Sequence, residues 1–289
     1  MYTLFFDSDC DVTPVECAEY GAKLISMPYM VDGEIIFPYV DFKEFDAPAF
    51  YGMLRKGTLP TTAALSEEEY RQYFEPELKE GKDILYIHFS RAMSVTFDVA
   101  DKVIAELLAK YPGRRIQLID TKAITLGGYS LAIQAGALYK EGKSIDEIVE
   151  WSKEAVNHNA FYFFADNLKF FAKSGRVTGF AAFMGGMIGI KPIIYIGDEG
   201  KMVSIDKAIG RKKALEKILG YMETLGDDIP SYPIIIAHCD AMGLVEELIT
   251  EIKAKFGENL DIRVKNVNPT AGSHCGPDAV GVTFHAIHR

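Results

Sequence analysis

Residues 2–16, YTLFFDSDCDVTPVE, contain one complete strand–loop–helix unit. The run Tyr2–Phe6 is mostly apolar, which is typical of a strand buried in a sheet. Aspartates at alternate positions, Asp7, Asp9 and Asp11, follow this run. Thr13-Pro14-Val15-Glu16 then combines an N-cap residue, a proline at the first helical position and the glutamate of a capping box. The stretch therefore predicts a buried strand that leads through an acidic loop into a helix.

The same alternation continues along the chain. Capping-box sequences recur at Ser66–Glu69 and Ser144–Glu147, and each predicts the start of a helix. Apolar runs between the helical segments predict further strands: Ile84–Phe89, Ile116–Ile119, Ala160–Ala165, Ile193–Ile196 and Ile234–Ala237. Strands that alternate with helices favour parallel sheets with helices on both faces, so the predicted fold class is α/β.

Two segments depart from this alternation and predict β-hairpins. Met27–Val31 and Glu34–Tyr39 flank Asp32-Gly33, a dipeptide typical of tight hairpin turns. Ile193–Ile196 and Met202–Ile205 flank a turn at Asp198-Glu199-Gly200, the weaker signal of the two.

A length of 289 residues favours about two domains. We therefore expect an N-terminal Rossmann-like α/β/α domain, residues 1–156, with the first hairpin inserted at about residues 27–40. A C-terminal α/β domain, residues 157–289, follows it.

The composition is that of a globular protein, with 48% hydrophobic and 25% charged residues. A net charge of −10 argues against a nucleic-acid or anionic-membrane partner, because such partners require clustered lysines and arginines. The apolar runs are too short for stable membrane insertion, and the first residues lack a signal-peptide pattern. None of the four cysteines forms a C-x-x-C pair, which favours reduced thiols and a cytoplasmic location.

The acidic loop after the first strand admits two interpretations. Asp7, Asp9 and Asp11 alternate along the chain, and carboxylate oxygens are the usual ligands of Mg²⁺ and Ca²⁺. That arrangement would suit a metal-dependent phosphatase or hydrolase. The same side chains also cap helices and fix loops through bonds to nearby amides, and this structural interpretation is favoured because aspartate is common at helix starts.

Three other polar segments contain candidate binding residues. Ser94 lies near the N-terminus of the helix that follows Ile84–Phe89, where free amides attract a carboxylate or phosphate, although it also fits an ordinary N-cap. Thr62 lies in a short polar loop. His274 lies in the turn-rich segment 268–277, which we expect to be an exposed loop that offers the imidazole to an anion.

The segment from Phe161 to Ile196 is unusually rich in large apolar residues, which ordinarily indicates core. Glycines at 179, 185, 186 and 189 reduce the packing around them and would suit an apolar tunnel instead. The candidate tunnel residues are Phe161, Phe163, Phe180, Phe183, Met184, Met187 and Ile188. A polar anchor combined with such a tunnel would describe a site for an amphiphilic acid.

In their order along essentially the whole chain, these motifs resemble those of the DegV family, bacterial fatty-acid-binding proteins that serve fatty acid kinase. The corresponding segments are D-S-x-x-D at 7–11, P-x-T at 60–62, S-x-x-x-S-x-T at 90–96, Asp120-Thr121, an L-x-x-L-x-x-G-G-R-I-like element at 168–177, I-K-P-I at 190–193 and H-x-G-P at 274–277. Ala63 and Ala64 replace a Ser and a Gln of the family pattern, and Val95 replaces a Gly.

The resemblance implies a site and a role. Thr62 and Ser94 would hold the acyl carboxylate, with His274 close by, between the domains, and the acyl chain would lie within the second domain. The chain would be a carrier without catalytic residues, metal or cofactor, and it would present bound fatty acid to a fatty acid kinase for acyl-phosphate formation. Arg176 and Arg211 are the expected contacts of that kinase subunit; Ile209 stands where the family often has an arginine.

The magnitudes favour the acyl chain as the main source of affinity. Burial of one methylene contributes about 0.8 kcal/mol, so a sixteen-carbon chain gains on the order of 10 kcal/mol. A neutral hydrogen bond contributes only about 1 kcal/mol. The metal-dependent hydrolase, and a module that binds a small anion at Ser94, remain the alternative functions.

Overall fold

A computed structural model describes residues 1–178 and 189–289 of the chain. The helices of the described residues are α1 (Pro14–Tyr20), α2 (Ala47–Arg55), α3 (Glu67–Lys79), α4 (Thr96–Lys110), α5 (Thr125–Lys140), α6 (Ile145–Ala155), α7 (Leu168–Ser174), α8 (Arg211–Leu225), α9 (Met242–Phe256) and α10 (Pro269–Cys275). Short 3₁₀ turns lie at Ser8–Cys10, Arg91–Met93 and Ile229–Ser231.

The strands of the same residues form three sheets. They are β1 (Tyr2–Asp7), β2 (Lys23–Ile25), β3 (Tyr29–Val31), β4 (Glu34–Ile36), β5 (Thr61–Thr62), β6 (Asp83–His88), β7 (Ile116–Asp120), β8 (Asn159–Phe164), β9 (Val177–Thr178), β10 (Ile190–Ile196), β11 (Met202–Ile209), β12 (Ile234–His238), β13 (Ile262–Asn266) and β14 (Val280–His285).

The first sheet has the predicted parallel architecture. Its order is β2-β1-β6-β7, and all three strand pairs are parallel. The predicted capping boxes are present at Thr13, Ser66 and Ser144, which open α1, α3 and α6. Because parallel strands all end at the same edge, the loops after β1 and β6 lie side by side, and this edge is where open α/β sheets place their ligands.

The first predicted hairpin is also present, and it has one more strand than the sequence pattern indicated. β3 and β4 pair around Asp32-Gly33, and β5 joins the other edge of β3. In this register Tyr29 lies opposite Thr62. The third strand fixes the position of Thr62, which the sequence assigned to a polar loop.

The second sheet is mixed, so the expectation of parallel sheets is wrong for this part of the chain. Its order is β13-β12-β14-β8-β10-β11-β9, and only β12–β13 and β11–β9 pair in parallel. The weaker of the two predicted hairpins is present here, because a short turn at residues 197–201 joins β10 directly to β11. Parallel neighbours would need a long crossover, so a tight turn makes the pair antiparallel.

β8 divides the hydrophobic core into two layers. Phe161 and Phe163 face the layer that also contains the first sheet, whereas Tyr162 and Phe164 face the opposite layer beneath α8 and α9. α5 packs against β8, β12 and β14 on the first of these sides. A strand covered on both faces is apolar at every position, which explains why the segment gave no alternating pattern.

Each of the two larger sheets lies entirely on one side of the predicted domain boundary between residues 156 and 157. The boundary itself stays a prediction. None of the helices in residues 1–178 and 189–289 is both long enough and apolar enough to cross a membrane.

Candidate functional site

A polar pocket lies at the carboxyl ends of β1 and β6, where β5 and α10 approach them. Its polar lining residues are Asp9, Thr62, Ser94, Thr96, Arg176, Thr270 and His274. The three residues predicted from separate segments to hold a carboxylate, Thr62, Ser94 and His274, therefore share one pocket. Thr96, Thr270 and Asp9 were not singled out as binding residues from the sequence.

Two of the predicted residues are in direct contact. Thr62 Oγ1 lies 3.1 Å from His274 Nε2, within hydrogen-bond distance. Ser94 Oγ accepts a hydrogen bond from the backbone N–H of Thr96 at 3.2 Å. A hydroxyl that accepts one bond keeps its proton for donation, so Ser94 serves the helix start and still offers a donor to the pocket.

The expectation that His274 lies on an exposed loop is wrong, because residues 269–275 form α10. The Asn268 side chain accepts a hydrogen bond from the N–H of Ala271 at 2.9 Å, and Pro269 occupies the first helical turn. Asn and Pro are typical of turns, yet together they are also a helix start. His274 is half-buried near the helix C-terminus and faces the polar pocket.

The imidazole of His274 is uncharged at neutral pH. Burial, reinforced by the positive charges of Arg176 and Lys173, lowers the pKa of His274 to about 4. Among the described residues that line the pocket, Arg176 is the one cationic side chain. An anion here would meet hydrogen-bond donors and a single guanidinium, not an ion pair with histidine.

Two aspartates of the acidic loop, Asp7 and Asp11, accept hydrogen bonds from different parts of the chain. Asp7 caps the 3₁₀ turn through Cys10 N, and its other oxygen accepts bonds from Tyr86 Oη and Phe89 N, both at 3.0 Å. Burial raises the pKa of Asp7 to about 6, with these hydrogen bonds opposing the rise.

Asp11 joins the acidic loop to the start of α10. Its Oδ1 atom accepts bonds from Asn268 N at 2.9 Å and from Asn268 Nδ2 at 2.8 Å. Burial raises the pKa of Asp11 to about 7. The carboxylates thus bond to different neighbours, and the described part of the chain contains no cluster of three His, Cys, Asp or Glu side chains placed to hold a metal ion.

An apolar cavity adjoins the polar pocket. It is lined by side chains from α5, β8, β12, α10 and β14, and it shares Ile124, Met202, Ala271 and His274 with the polar pocket. Of the predicted tunnel residues, Phe161 and Phe163 line this cavity. The other five, Phe180, Phe183, Met184, Met187 and Ile188, lie outside the described residues.

The aromatic wall of the cavity depends on a glycine in the neighbouring strand. A Cβ atom added to Gly281 of β14 would lie 2.6 Å from Cβ of Phe163 and 3.0 Å from the ring of Phe161. The side chains of both phenylalanines therefore occupy space that any larger residue at position 281 would take. Sequence reasoning missed the contributions of β12, β14 and the start of α5, because their apolar residues cannot be told from ordinary core.

Two departures from the family pattern lie beside the polar pocket. Val95 has regular helical backbone angles (φ −74°, ψ −4°) and is 69% exposed, so this position does not require glycine and its side chain points away from the pocket. Ala63 lines the pocket, and its methyl group offers no hydrogen bond.

The two arginines predicted to contact a partner have different surroundings. Arg211 Nε donates to Asp166 at 2.8 Å and its Nη2 donates to Asp278 at 3.0 Å, and this pairing raises the pKa of Arg211. Arg176 is exposed, lines the polar pocket and donates from Nη1 to the carbonyl of Ser174 at 2.6 Å. Arg176 thus lies beside the site, whereas Arg211 belongs to a surface ion-pair cluster.

Comparison with known proteins relates the chain to one family over almost its full length. A family model described as "uncharacterised protein, DegV family" matches residues 2–286. A DegV domain-containing protein of Clostridium perfringens is 32% identical over 283 residues, which cover 98% of this chain and 97% of the relative. One from Caldanaerobacter subterraneus is 31% identical over 282 residues, or 96% of each chain.

Solved structures of similar proteins share the fold. A DegV family protein from Thermus thermophilus, described for its fatty acid binding, has a TM-score of 0.84 and 25% identity, with 99% of each chain covered. DegV from Bacillus subtilis, described as a fatty acid binding protein, has a TM-score of 0.81 and 22% identity, again with 99% of each chain covered.

Proposed function

Because the chain belongs to the DegV family, we propose that it binds a long-chain fatty acid, with the carboxylate in the polar pocket and the acyl chain in the apolar cavity. One observation carries this proposal. Hydrogen-bonding side chains gather in one pocket, and that pocket shares four lining residues with a cavity whose other lining residues are apolar or cysteine, apart from Thr125. The ligand of the Thermus thermophilus relative is of the same chemical class.

The carboxylate would be held mainly by hydrogen bonds. Thr62 and Ser94 offer hydroxyls, and His274 offers a neutral ring nitrogen next to Thr62. Bonds to a charged acceptor contribute about 1.5–3 kcal/mol each when water is excluded. These groups fix the orientation of the headgroup.

The acyl chain would supply most of the affinity. At about 0.8 kcal/mol per methylene, each two-carbon extension that finds room raises affinity roughly tenfold. Phe161 and Phe163 line the cavity from β8, and the small side chains of Ala237 and Ala279 occupy little of its space. A small-anion module would show no such dependence on chain length.

The role that follows is presentation of the headgroup to a partner. We infer that a fatty acid kinase phosphorylates the bound carboxylate and that Arg176, exposed and beside the pocket, lies within its contact area. The nucleophile is the ligand's own carboxylate, so the carrier needs no catalytic base. It orients the acid and keeps the chain out of water.

Native mass spectrometry of the recombinant protein tests the binding. We expect a bound mass equal to that of a fatty acid after purification, or after incubation with palmitate or oleate. Protein that carries no lipid before or after incubation contradicts the proposal. A divalent-metal titration by calorimetry distinguishes the proposed carrier from the metal-dependent hydrolase. Tight metal binding at the aspartates would favour the hydrolase.

A further inference from the structure

Asp9 is a buried carboxyl group that the proposed binding mode does not use. It is 3% exposed, lies in the 3₁₀ turn after β1 and lines the polar pocket beside Thr62 and His274. Its Oδ1 atom is fully buried and has no hydrogen-bond partner in the described part of the chain. An unsatisfied buried carboxyl oxygen is costly, and in a pocket wall it indicates a missing ligand atom.

The charges around Asp9 come from four elements. Burial raises the pKa of Asp9 well above its usual range, and two nearby acidic groups, Asp7 at the end of β1 and Asp11 in the same loop, raise it further. The Thr270 hydroxyl of α10 acts in the opposite direction. His274 on α10 is neutral at pH 7, and Arg176 after α7 is the cation of the pocket.

Cys10 adjoins Asp9 in the same turn and carries no charge at neutral pH. Its side chain is buried, and burial raises the pKa of the thiol well above the usual range. Among the described residues named here, the surroundings of Asp9 therefore contain two acids, one cation and otherwise neutral groups.

We propose that Asp9 is protonated in the fatty-acid complex and donates its O–H to a carboxylate oxygen of the ligand, so that the site accepts a carboxylate and retains one proton beside it. This inference rests on the proposed function. The proton stays on Asp9, and no covalent bond forms or breaks. The pair that results is the short, strong O–H···O⁻ bond of a carboxylic acid with a carboxylate.

Charge balance supports this state over two ionised carboxylates. With Asp9 neutral, the guanidinium of Arg176 faces one negative headgroup. With Asp9 ionised, two carboxylates would share one cation, and like charges at such range push a proton onto one of them. Ala63, which also lines this pocket, supplies no side-chain donor there.

The variants Asp9→Val and Asp9→Asn distinguish a protonated Asp9 from an ionised one. If Asp9 donates, Asp9→Asn keeps a donor and holds palmitate about as tightly as the unaltered protein, while Asp9→Val weakens binding by about tenfold or more. If Asp9 is ionised, both variants remove a repulsion and bind palmitate more tightly, which would overturn the inference. Asp206→Asn on β11 removes a remote carboxylate and serves as the charge control.

Infrared spectroscopy detects the protonation of Asp9 directly and requires no substitution. Palmitate labelled with ¹³C at its carboxyl separates the ligand band from those of the protein, and ¹³C-aspartate assigns the protein bands. At about pH 8.5, above the pKa values of about 6 for Asp7 and about 7 for Asp11, we expect one protonated aspartate band in the complex. Bound palmitate without that band overturns this inference alone. Failure of the unaltered protein to retain palmitate overturns the proposed function and this inference together.

Discussion

Thr62 Oγ1 and His274 Nε2 lie 3.1 Å apart although 212 positions separate them in the chain. One residue is on the added strand of the hairpin sheet and the other on the last helix. Their contact closes one side of the polar pocket, and it brings a hydroxyl and a neutral imidazole into a single hydrogen-bonding unit. A ligand oxygen bound here would meet both groups together.

Replacement of His274 or of Thr62 should weaken fatty-acid binding by about as much as the loss of one hydrogen bond. We expect His274→Ala to lower palmitate affinity by about tenfold and Thr62→Val by several-fold, which corresponds to roughly 1–1.5 kcal/mol each. Because the two groups bond to one another, the double variant should lose less than the product of the single effects. Displacement of a fluorescent fatty acid measures all three affinities.

His288→Ala provides the control, because this histidine is remote from the lining of the pocket. Fully independent effects of Thr62→Val and His274→Ala would show that the pair does not act on the ligand as a unit. Unchanged affinity in both variants would place the carboxylate elsewhere.

Ser94→Ala should weaken all chain lengths by the same factor. In the proposed binding mode the hydroxyl would contact only the headgroup, so the gain in affinity for each added methylene should stay at about 0.8 kcal/mol, to within about 0.2 kcal/mol. A series of saturated acids from eight to eighteen carbons, titrated into Ser94→Ala and the unaltered protein, should give two parallel lines. Lines that converge or diverge would mean that Ser94 also controls the path of the chain.

Filling the apolar cavity should discriminate by chain length. Ala237 lines the cavity from β12, and Ala237→Leu places three further carbons there. We expect long acids to lose at least tenfold in affinity and short acids to lose little, measured by the same displacement assay.

Ala160→Leu is the matched control for overpacking. Ala160 is equally buried but lies on β8 in the opposite core layer, under α8. Both substitutions should cost about 1–3 kcal/mol of stability, yet only the one at Ala237 should change ligand selection. Equal losses of binding in the two variants would indicate a general effect of destabilisation.

Local sequence signals predicted local structure well. Each capping box needs only four consecutive residues, and those at Thr13, Ser66 and Ser144 are all present in the structure. The first sheet also follows from such signals, because strand–helix alternation with short loops leaves parallel pairing as the simple arrangement. The motif order indicated the DegV family, which the family match confirms.

The features that failed depend on contacts distant in sequence. The second sheet inserts β14, the last strand, between β12 and β8, and no local pattern encodes that order. α10 was mistaken for a loop because Asn268-Pro269 is typical of both turns and helix starts. Whether the Asp9 side chain lines the pocket depends on how α10 packs over the acidic loop. This position could therefore be found only from the structure.

Bound fatty acid should protect Cys275 from thiol reagents. Cys275 is half-buried and lines the apolar cavity, whereas Cys10, Cys17 and Cys239 are buried. We expect slow maleimide labelling of Cys275 in lipid-free protein and at least several-fold slower labelling with palmitate, followed by mass spectrometry of peptides. The Cys275→Ser variant should lack the labelled peptide, which assigns the signal to Cys275. Equal labelling rates with and without palmitate would exclude an acyl chain from this part of the cavity.

Asp11 should make the folded state less stable as pH rises towards neutrality. Its pKa is raised to about 7 in the folded protein from 3.8, so between these values the folded state holds a proton that the unfolded state has released. Stability from this group is therefore complete below about pH 4 and is lost as pH rises to about 7. Each unit of pKa displacement corresponds to about 1.4 kcal/mol.

Asp11→Asn isolates this contribution. The amide oxygen can still accept from Asn268, the amide nitrogen takes the place of the unpartnered Oδ2 atom, and asparagine tolerates the positive φ of 53° at this position. Urea unfolding at about pH 8 should show Asp11→Asn to be more stable than the unaltered protein by about 1–2 kcal/mol, and the difference should vanish near pH 4. A difference that stays constant with pH would mean that the variant acts through packing, and a loss of stability at pH 8 would show that Asp11 is needed as a carboxylate beside Lys265.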